Sequence, residues 1–309
     1  MSKIAALFSG QGSQYTGMGT SLIETFPKVR EIYQCAGDIL GLDIIKLTAN
    51  ADEAELARTV ISQPLIFTLS VAAYTIATER HGAPTAAAGH SLGEFAALYA
   101  AGAFSREDGF RIIKARAAAM ERAATQGEPG AMYAILSSDE STITEVCEAT
   151  DGFVVPVNMN LPAQTVISGE EKAAEAAAAE LTSRGAKAIK LGVGSAFHTK
   201  MMQSAADELR EKVANITYSP TAIDFYSNLT GDKLQITNYP EYFAQHMVSP
   251  VRFVEQINAM VRDGITACVE FGPKKTAATL AKKNARALVV ANVEDVASFE
   301  GLVGFYGKL

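Results

Sequence analysis

The 309-residue sequence predicts an α/β fold in which a small βαββαβ unit interrupts a larger α/β unit. Three observations support this prediction. An apolar run at the start ends in a Gly-rich turn, a strand-turn-helix pattern follows near residues 85–101, and strands and helices alternate in a fixed order over residues 132–191. Alternation of strands with helices is typical of the α/β class.

The first part of the chain supplies the larger unit. Small and apolar runs flanked by turn residues predict strands, and the apolar helical period together with Ser105 as a helix cap and Gly102 as a stop predicts helices. The predicted elements are a strand at Lys3–Phe8, a helix at Leu65–Glu79, a strand at Thr85–Gly89, a helix at Leu92–Ala101 and a long helix from Ser105 to about Ala124.

The middle of the chain predicts the smaller unit. Its order of strand, helix, two strands, helix and strand is the ferredoxin-like pattern. The elements are Met132–Leu136, Asp139–Thr150, Phe153–Met159, Gln164–Ser168, Glu170–Arg184 and Ala186–Leu191. Beyond them we predict helices at Met201–Ala214 and Thr276–Asn284 and strands near Ile223–Asn228 and Ala267–Phe271. The chain therefore divides into a discontinuous domain, 1–124 with 199–309, and an inserted domain, 125–198.

Composition argues against several classes of function. The 27 Lys and Arg against 34 Asp and Glu give a net charge of −7, which disfavours a broad nucleic-acid interface. No apolar stretch is expected to approach the ~20 residues of a membrane span, and the apolar start is too short for a signal peptide, so we expect a cytoplasmic protein. Three scattered cysteines, Cys35, Cys147 and Cys268, predict neither a disulfide framework nor a metal site.

The sharpest motif is Gly89-His-Ser-Leu-Gly93, a G-x-S-x-G sequence between a predicted strand and a predicted helix. Such a nucleophile elbow needs small residues two before and two after the serine, because strand and helix approach closely there. The alternative is a Gly-Ser loop without chemistry. The context favours Ser91 as a nucleophile.

A serine nucleophile needs a base, and the chain has four histidines, His81, His90, His198 and His246. His81 lies in a polar turn, His90 is sequence-adjacent to the serine and better suited to packing, and nothing in its surroundings favours His246. His198 follows a glycine-bearing loop and precedes a helix, so it is the best candidate for the general base. No acidic residue stands out as a third member.

An oxyanion hole would use the backbone N–H of Leu92 and a second N–H from another loop. The turn Gly10-Gln-Gly12 after the first strand suits that role. A dinucleotide loop is the alternative, but Tyr15 occupies the position of its third glycine. We therefore expect no nucleotide cofactor.

Arg116 lies on an apolar helix face, since Ile113, Ala117 and Met120 share its spacing. Residues three and four positions away offer it no carboxylate. Either a carboxylate from elsewhere in the fold pairs with this guanidinium, or an anionic ligand does. Its spacing does not decide between these two.

Together these residues resemble the malonyl-CoA:acyl carrier protein transacylase family along essentially the whole chain. The matching segments are Phe8-Ser-Gly-Gln-Gly-Ser-Gln14, Gly89-His-Ser-Leu-Gly-Glu94, Arg116 with Met120, Gly130-Ala-Met132, Pro156-Val-Asn158 with Gln164, Ala196-Phe-His198 and Ser249-Pro-Val-Arg-Phe253. Two departures from the family pattern are Ser9, where proline is usual, and His246, where glutamine is usual.

The resemblance implies an α/β-hydrolase-like large domain and a ping-pong transfer through an acyl-serine. By that likeness Ser91 is the nucleophile, His198 the base and Arg116 the clamp on the malonyl carboxylate. Gln11 and Leu92 supply oxyanion-hole N–H groups, and the main-chain carbonyl of His246 orients the base. The substrates are malonyl-CoA and the phosphopantetheine thiol of an acyl carrier protein, with no separate cofactor and no metal.

Other possibilities stay open from the sequence. A serine hydrolase or thioesterase would share Ser91 and His198 but would have no use for Arg116. The carrier could belong to fatty-acid synthesis or to a polyketide synthase supplied in trans. A lysine-rich cluster, Lys274, Lys275, Lys282, Lys283 and Arg286, suits an acidic carrier, although a solvated helix face is the commoner explanation.

Overall fold

The structure, a computed structural model, describes residues 3–309. The strands are β1 (Lys3–Phe8), β2 (Ala86–Gly89), β3 (Gly130–Leu136), β4 (Val154–Leu161), β5 (Gln164–Glu170), β6 (Lys187–Lys190), β7 (Asp224–Phe225), β8 (Ile265–Phe271) and β9 (Val289–Val293). The first helices are α1 (Thr20–Thr25), α2 (Pro27–Leu40), α3 (Ile44–Asn50), α4 (Glu53–Ala57), α5 (Thr59–His81), α6 (Gly93–Ala100) and α7 (Arg106–Gln126). The others are α8 (Glu140–Ala149), α9 (Glu171–Ser183), α10 (Gln203–Val213), α11 (Tyr239–Val248), α12 (Phe253–Arg262), α13 (Thr276–Asn284) and α14 (Val296–Tyr306).

The larger sheet is parallel, with strand order β7-β2-β1-β8-β9. Phe8 at the end of β1 pairs with Gly89 at the end of β2 and with Phe271 at the end of β8. The carboxyl ends of these three strands therefore lie at one edge of the sheet, where open α/β sheets bind ligands. The loops after β1 and β2, which carry Gln11 and Ser91, meet at this edge.

The smaller sheet is antiparallel, with strand order β4-β5-β3-β6. Helices α8 and α9 pack against it through a separate apolar cluster that includes Ile135, Ile143, Ile167 and Leu181. This order is that of a ferredoxin-like unit, so the predicted fold class is confirmed. The bounds 1–124, 125–198 and 199–309 themselves stay a prediction.

The two sheets are joined where the end of β4 contacts the segment before α12. The Val251 N–H donates to the carbonyl of Val157 at 2.7 Å, and the Met159 N–H donates to the carbonyl of Val251 at 3.0 Å. Because Val251 is two residues from Ser249, this contact ties the smaller sheet to the loop beside His198. It helps to fix the cleft between the two units.

Helix α5 corrects one expectation from the sequence. Its 23 residues have a mean hydropathy of 1.6 over the most apolar window, which is long and apolar enough to cross a membrane by length and composition. Within the fold, 89% of that window is buried, as in the central helix of a globular core. The expectation that no stretch approaches a membrane-spanning length is therefore wrong.

Other predicted elements differ in extent. The strand expected near Ile223–Asn228 is only Asp224–Phe225, because the chain turns tightly at once, with the Gly231 N–H donating to the carbonyl of Ser227. A 3₁₀ turn at Lys200–Met202 precedes α10. The elements predicted from the sequence do not include strand β9 or helices α1 to α4, α11, α12 and α14.

Candidate active site

The strand-turn-helix motif forms a nucleophile elbow between β2 and α6. Ser91 has φ of 51°, in the left-handed region that non-glycine residues rarely adopt. A Cβ on Gly89 would lie 2.1 Å from the carbonyl carbon of Gly93, and one on Gly93 would lie 2.2 Å from the carbonyl oxygen of Phe8. Only glycine fits either position, which explains the spacing of the motif.

The Ser91 Oγ lies 2.7 Å from Nε2 of His198. The other ring nitrogen, Nδ1, lies 3.0 Å from the carbonyl oxygen of Ser249 and 3.3 Å from that of His246. Since a carbonyl only accepts, Nδ1 carries the proton and Nε2 is free to accept one from the serine. The structure thus brings Ser91, His198 and the His246 carbonyl together. The nearer carbonyl, of Ser249, was missed by sequence reasoning.

The charge state of His198 follows from its surroundings. The side chain is 5% exposed, and its pKa is lowered to about 3, first by burial and then by the positive charge of Arg116 and the proximity of His90. The imidazole is therefore neutral near pH 7 and available as a base.

Arg116, on α7, is 1% exposed, and its guanidinium carbon lies 5.0 Å from the centre of the Phe95 ring. Its Nε and Nη1 atoms are buried without a hydrogen-bond partner among the residues that the structure describes. Burial lowers its pKa to about 9, opposed by the attraction of Glu94, so the group is cationic at pH 7. A buried cation with unused donors favours an anionic ligand over the internal ion pair.

These groups line one cavity of about 540 Å³ between the two units. Its walls include Gln11, Ser91, Arg116, Met120, His198 and Lys274. The volume lies in the range of small-molecule sites. The side chains of Ser91 and Arg116 thus line the same cavity.

The loop of residues 9–12, which carries the predicted oxyanion donor Gln11, packs directly against the elbow. A Cβ on Gly10 would lie 2.8 Å from the carbonyl oxygen of His90, so the backbone of Gln11 is held close to the elbow. The Gln11 side chain is fixed from the other side, since its Oε1 accepts from Gln63 Nε2 at 3.0 Å. Leu92 is the N-cap of α6, where helix N–H groups lack intrahelical partners. Both predicted donors therefore lie at the elbow.

Two other histidines, His90 and His81, are held by contacts away from the Ser91 hydroxyl. His90 Nε2 is hydrogen-bonded to Asn160 Oδ1 at 2.7 Å, and its ring packs on Phe253. His81 stacks on Tyr306 at the end of α5. Both placements agree with the expectation that neither serves as the base.

Sequence reasoning missed a buried polar group beneath the elbow. Asn228 accepts from the Ser91 N–H, and Glu94 accepts from both the Asn228 N–H and the Tyr242 hydroxyl. Burial raises the pKa of Glu94 to about 8, against the lowering effect of these hydrogen bonds. The polar residues of the elbow motif and of the segment after β7 were the available signal, but nothing local pairs them.

Comparison with known proteins agrees with this geometry. The acyl transferase domain family matches residues 6–304. The malonyl CoA-acyl carrier protein transacylase of Bacillus subtilis (strain 168) is 37% identical over 305 residues, 97% of this chain and 96% of the relative. The chain belongs to the malonyl-CoA:acyl carrier protein transacylase family. The resemblance drawn from the motifs is confirmed.

Solved structures of family members share the fold. An MCAT from Streptococcus pneumoniae superposes with a TM-score of 0.91 at 37% identity, covering 99% of this chain and 100% of that one. The malonyl-transacylase PlMCAT, solved with the type II PKS acyl-carrier protein AntF, superposes with a TM-score of 0.93 at 33% identity. The match covers 98% of this chain and 100% of that one. The transacylase fold is therefore shared over nearly the whole of each chain.

Proposed function

We propose that this transacylase moves a malonyl group from malonyl-CoA to the phosphopantetheine thiol of an acyl carrier protein, through an acyl-enzyme on Ser91. One observation carries the proposal. A serine-histidine pair at 2.7 Å and a buried, unpaired Arg116 line the same cavity. The names of the relatives support the same reaction.

In the first half-reaction, His198 Nε2 takes the hydroxyl proton of Ser91 as Oγ attacks the thioester carbonyl. The Ser249 and His246 carbonyls hold the proton on Nδ1 and stabilise the imidazolium that forms. The N–H groups of Leu92 and Gln11 stabilise the oxyanion. The C–S bond then breaks, and the CoA sulfur leaves with the proton from His198.

The second half-reaction reverses these steps with a different thiol. His198 accepts the proton of the phosphopantetheine thiol, whose sulfur attacks the malonyl-serine ester. The C–O bond to Ser91 breaks, and Oγ takes the proton back from the imidazolium. The free enzyme is restored without a cofactor or a metal in the scheme.

Intact-mass spectrometry after mixing the enzyme with malonyl-CoA tests the proposal. A malonyl adduct is expected on the native chain and not on Ser91→Ala, and added holo-carrier should remove it with formation of malonyl-carrier. Release of free malonate at the same rate with and without carrier would instead identify a thioesterase. Absence of any adduct would contradict the acyl-serine mechanism.

A lysine-bearing groove is a suitable surface for the acidic carrier. Its charged lining residues are three lysines, Lys274, Lys275 and Lys283, and one carboxylate, Glu294, so positive charge is in excess. Lys274 also lines the catalytic cavity. The groove therefore opens onto the site where the phosphopantetheine must enter, and positive charge there attracts an acidic partner. A cytoplasmic location, where carrier proteins of fatty-acid or polyketide synthesis act, completes the proposal.

Charge reversal tests the groove. Lys275→Glu with Lys283→Glu should lower kcat/KM for the carrier by at least about tenfold and leave the rate of acylation by malonyl-CoA unchanged. Lys28→Glu is the matched control, because Lys28 is an exposed lysine on α2 outside the groove. Equal carrier kinetics in all these variants would place carrier binding elsewhere.

A further inference from the structure

The side chain of Asn228 bonds to the backbone of the nucleophile elbow on both sides of His90, the residue before Ser91. Its Oδ1 accepts from the Ser91 N–H at 2.7 Å, and its Nδ2 donates to the carbonyl of Gly89 at 2.6 Å. We propose that Asn228 is a positioning residue that holds the elbow in its strained conformation and so sets the Ser91 hydroxyl against His198.

The elbow needs such support because its conformation is unfavourable by itself. Ser91 adopts a φ of 51°, and residues in this region persist only when the surrounding structure determines them. The Asn228 amide fixes the two peptide groups that flank His90, and the Ser91 carbonyl accepts from the Glu94 N–H of α6 at 3.0 Å. Because the chain is held on both sides of the Ser91 Cα, rotation about the Ser91 N–Cα bond is restrained. Asn228 is 0% exposed, so water does not compete for either hydrogen bond.

Asn228 is itself held from α6, one turn beyond the nucleophile. Glu94 accepts the Asn228 N–H at 2.5 Å through Oε2 and the Tyr242 hydroxyl at 2.5 Å through Oε1. The Tyr242 hydroxyl also lies 2.6 Å from Ser227 Oγ. The elbow, α6, Glu94 and Asn228 thus form a closed hydrogen-bonded ring, which fixes the amide relative to the serine that it positions.

This arrangement separates positioning from substrate binding. In the part of the chain that the structure describes, Asn228 does not line the catalytic cavity, so it does not contact the acyl group. Because its Oδ1 occupies the Ser91 N–H, the oxyanion is left to other N–H groups. Loss of Asn228 should therefore lower the rate of acylation and leave affinity for malonyl-CoA nearly unchanged.

The inference rests on the acyl-serine function proposed above, and the first experiment is a single-turnover measurement of Ser91 acylation. Asn228→Ala is expected to lower the saturating rate about 100-fold, a loss like that of one oxyanion donor, with the KM for malonyl-CoA within about threefold. Gln256→Ala is the matched control. Gln256 is a fully buried amide that donates to the carbonyl of Tyr226 at 2.7 Å, so its loss should destabilise the same segment without slowing acylation.

Asn228→Asp gives a second, independent test. A protonated carboxyl can still accept from the Ser91 N–H and donate to the Gly89 carbonyl, whereas an ionised one repels that carbonyl. Acylation by this variant should rise about tenfold as pH falls from about 8 to 5.5. The native enzyme over the same range is the baseline, because Glu94 and His246 also face this region.

Each outcome decides the inference. Acylation by Asn228→Ala within about threefold of the native rate, an equal loss in Gln256→Ala, or an Asn228→Asp profile parallel to the native one would overturn it. If the native enzyme forms no malonyl adduct, the proposed function fails. Labelling of Ser91 by a fluorophosphonate, compared between native enzyme and Asn228→Ala, then still measures the positioning of the hydroxyl.

Discussion

At the scale of single residues, two main-chain carbonyls orient His198, the proposed base, and no described residue places a carboxylate on its Nδ1. The Ser249 and His246 carbonyls fix the tautomer of His198 without adding a full negative charge beside it. An aspartate in that place would raise the pKa of the imidazole. The buried cation of Arg116 acts in the opposite direction. The proposed site therefore combines a neutral base, His198, with a positive charge, Arg116, that can bind a carboxylate.

The pH dependence of acylation follows from the neutral state of His198. A general base acts in its neutral form, and burial together with Arg116 lowers the pKa of His198 to about 3. The kcat/KM for malonyl-CoA should therefore vary by less than about threefold between pH 5 and 7. Stopped-flow acylation in a constant-ionic-strength buffer series measures it. A fall with a midpoint near 6.5, the ordinary value for histidine, would contradict the neutral base.

Replacement of Arg116 tests the origin of acyl selectivity. Arg116→Ala should lower kcat/KM for malonyl-CoA by about 100-fold or more, because a charge-assisted, bidentate contact to the carboxylate is lost. Acetyl-CoA has no carboxylate and should lose much less. Arg122→Ala is the control, since Arg122 lies on the same helix but pairs with Glu208 at the surface. Equal losses for both thioesters would rule out the clamp.

At the scale of elements, the predictable features are those encoded locally. The elbow was predictable because Gly89, Ser91 and Gly93 act over five residues and the steric reason for each glycine is short-range. Asn228 was not, because it meets Ser91 across 137 positions of sequence. The two-residue strand β7 and the unpredicted strand β9 likewise depend on pairing with distant strands.

Helix α13 is attached to the loop of residues 9–12 through a buried carboxyl on β8. Glu270 is 0% exposed and accepts from the Ala277 and Ala278 N–H groups at the start of α13, and from Ser9 Oγ at 2.8 Å. Ser9 stands where the family usually has proline, and two residues before Gln11. One side chain thus caps a helix and fixes the loop that carries Gln11, the proposed oxyanion donor.

Glu270→Ala should therefore affect stability and catalysis together. Leaving two buried N–H groups unpaired costs about 2–4 kcal/mol, and the freed loop should slow acylation severalfold. Asp295→Ala is the control, because Asp295 caps α14 through the Ser298 N–H at 2.7 Å. In that variant the free energy of unfolding should fall by about 1 kcal/mol, and the rate of acylation should equal the native rate. Urea unfolding and single-turnover acylation measure the two effects, and a native acylation rate in Glu270→Ala would contradict the coupling.

At the scale of the whole molecule, the proposed function depends on a cleft between the parallel sheet and the antiparallel sheet. Ser91 is fixed by the parallel sheet, whereas Ser168 on β5 donates to the carbonyl of Phe197 at 3.0 Å and so anchors the residue before His198 to the antiparallel sheet. The sequence pattern predicted both units and the position of the base between them. The orientation of the two units depends on contacts such as Val157 with Val251, which no local pattern reveals.

The same burial that prepares the site makes the stability of the whole fold depend on pH. Burial lowers the pKa of all four histidines, His81, His90, His198 and His246. Below about pH 6.5 the unfolded chain therefore binds more protons on these residues than the folded chain. Burial raises the pKa of Glu94 to about 8 and of Glu270 to about 7, so above about pH 4.5 the folded chain holds two protons that the unfolded chain releases. Between these limits the four histidines outnumber the two carboxyl groups, so the unfolded state has a net excess of bound protons.

The free energy of unfolding should therefore rise with pH up to about 6.5. Above that value the histidine contribution is complete, and stability should fall as pH approaches 8 because the unfolded chain no longer holds the protons of Glu94 and Glu270. Urea unfolding at pH 5.5, 6.5 and 8 measures both the rise in stability below pH 6.5 and the fall above it. Glu94→Gln, whose amide can still accept from the Asn228 N–H and donate to the Tyr242 oxygen, should flatten the alkaline limb. A steady rise to pH 8 in the native chain would show that Glu94 folds in its ionised form.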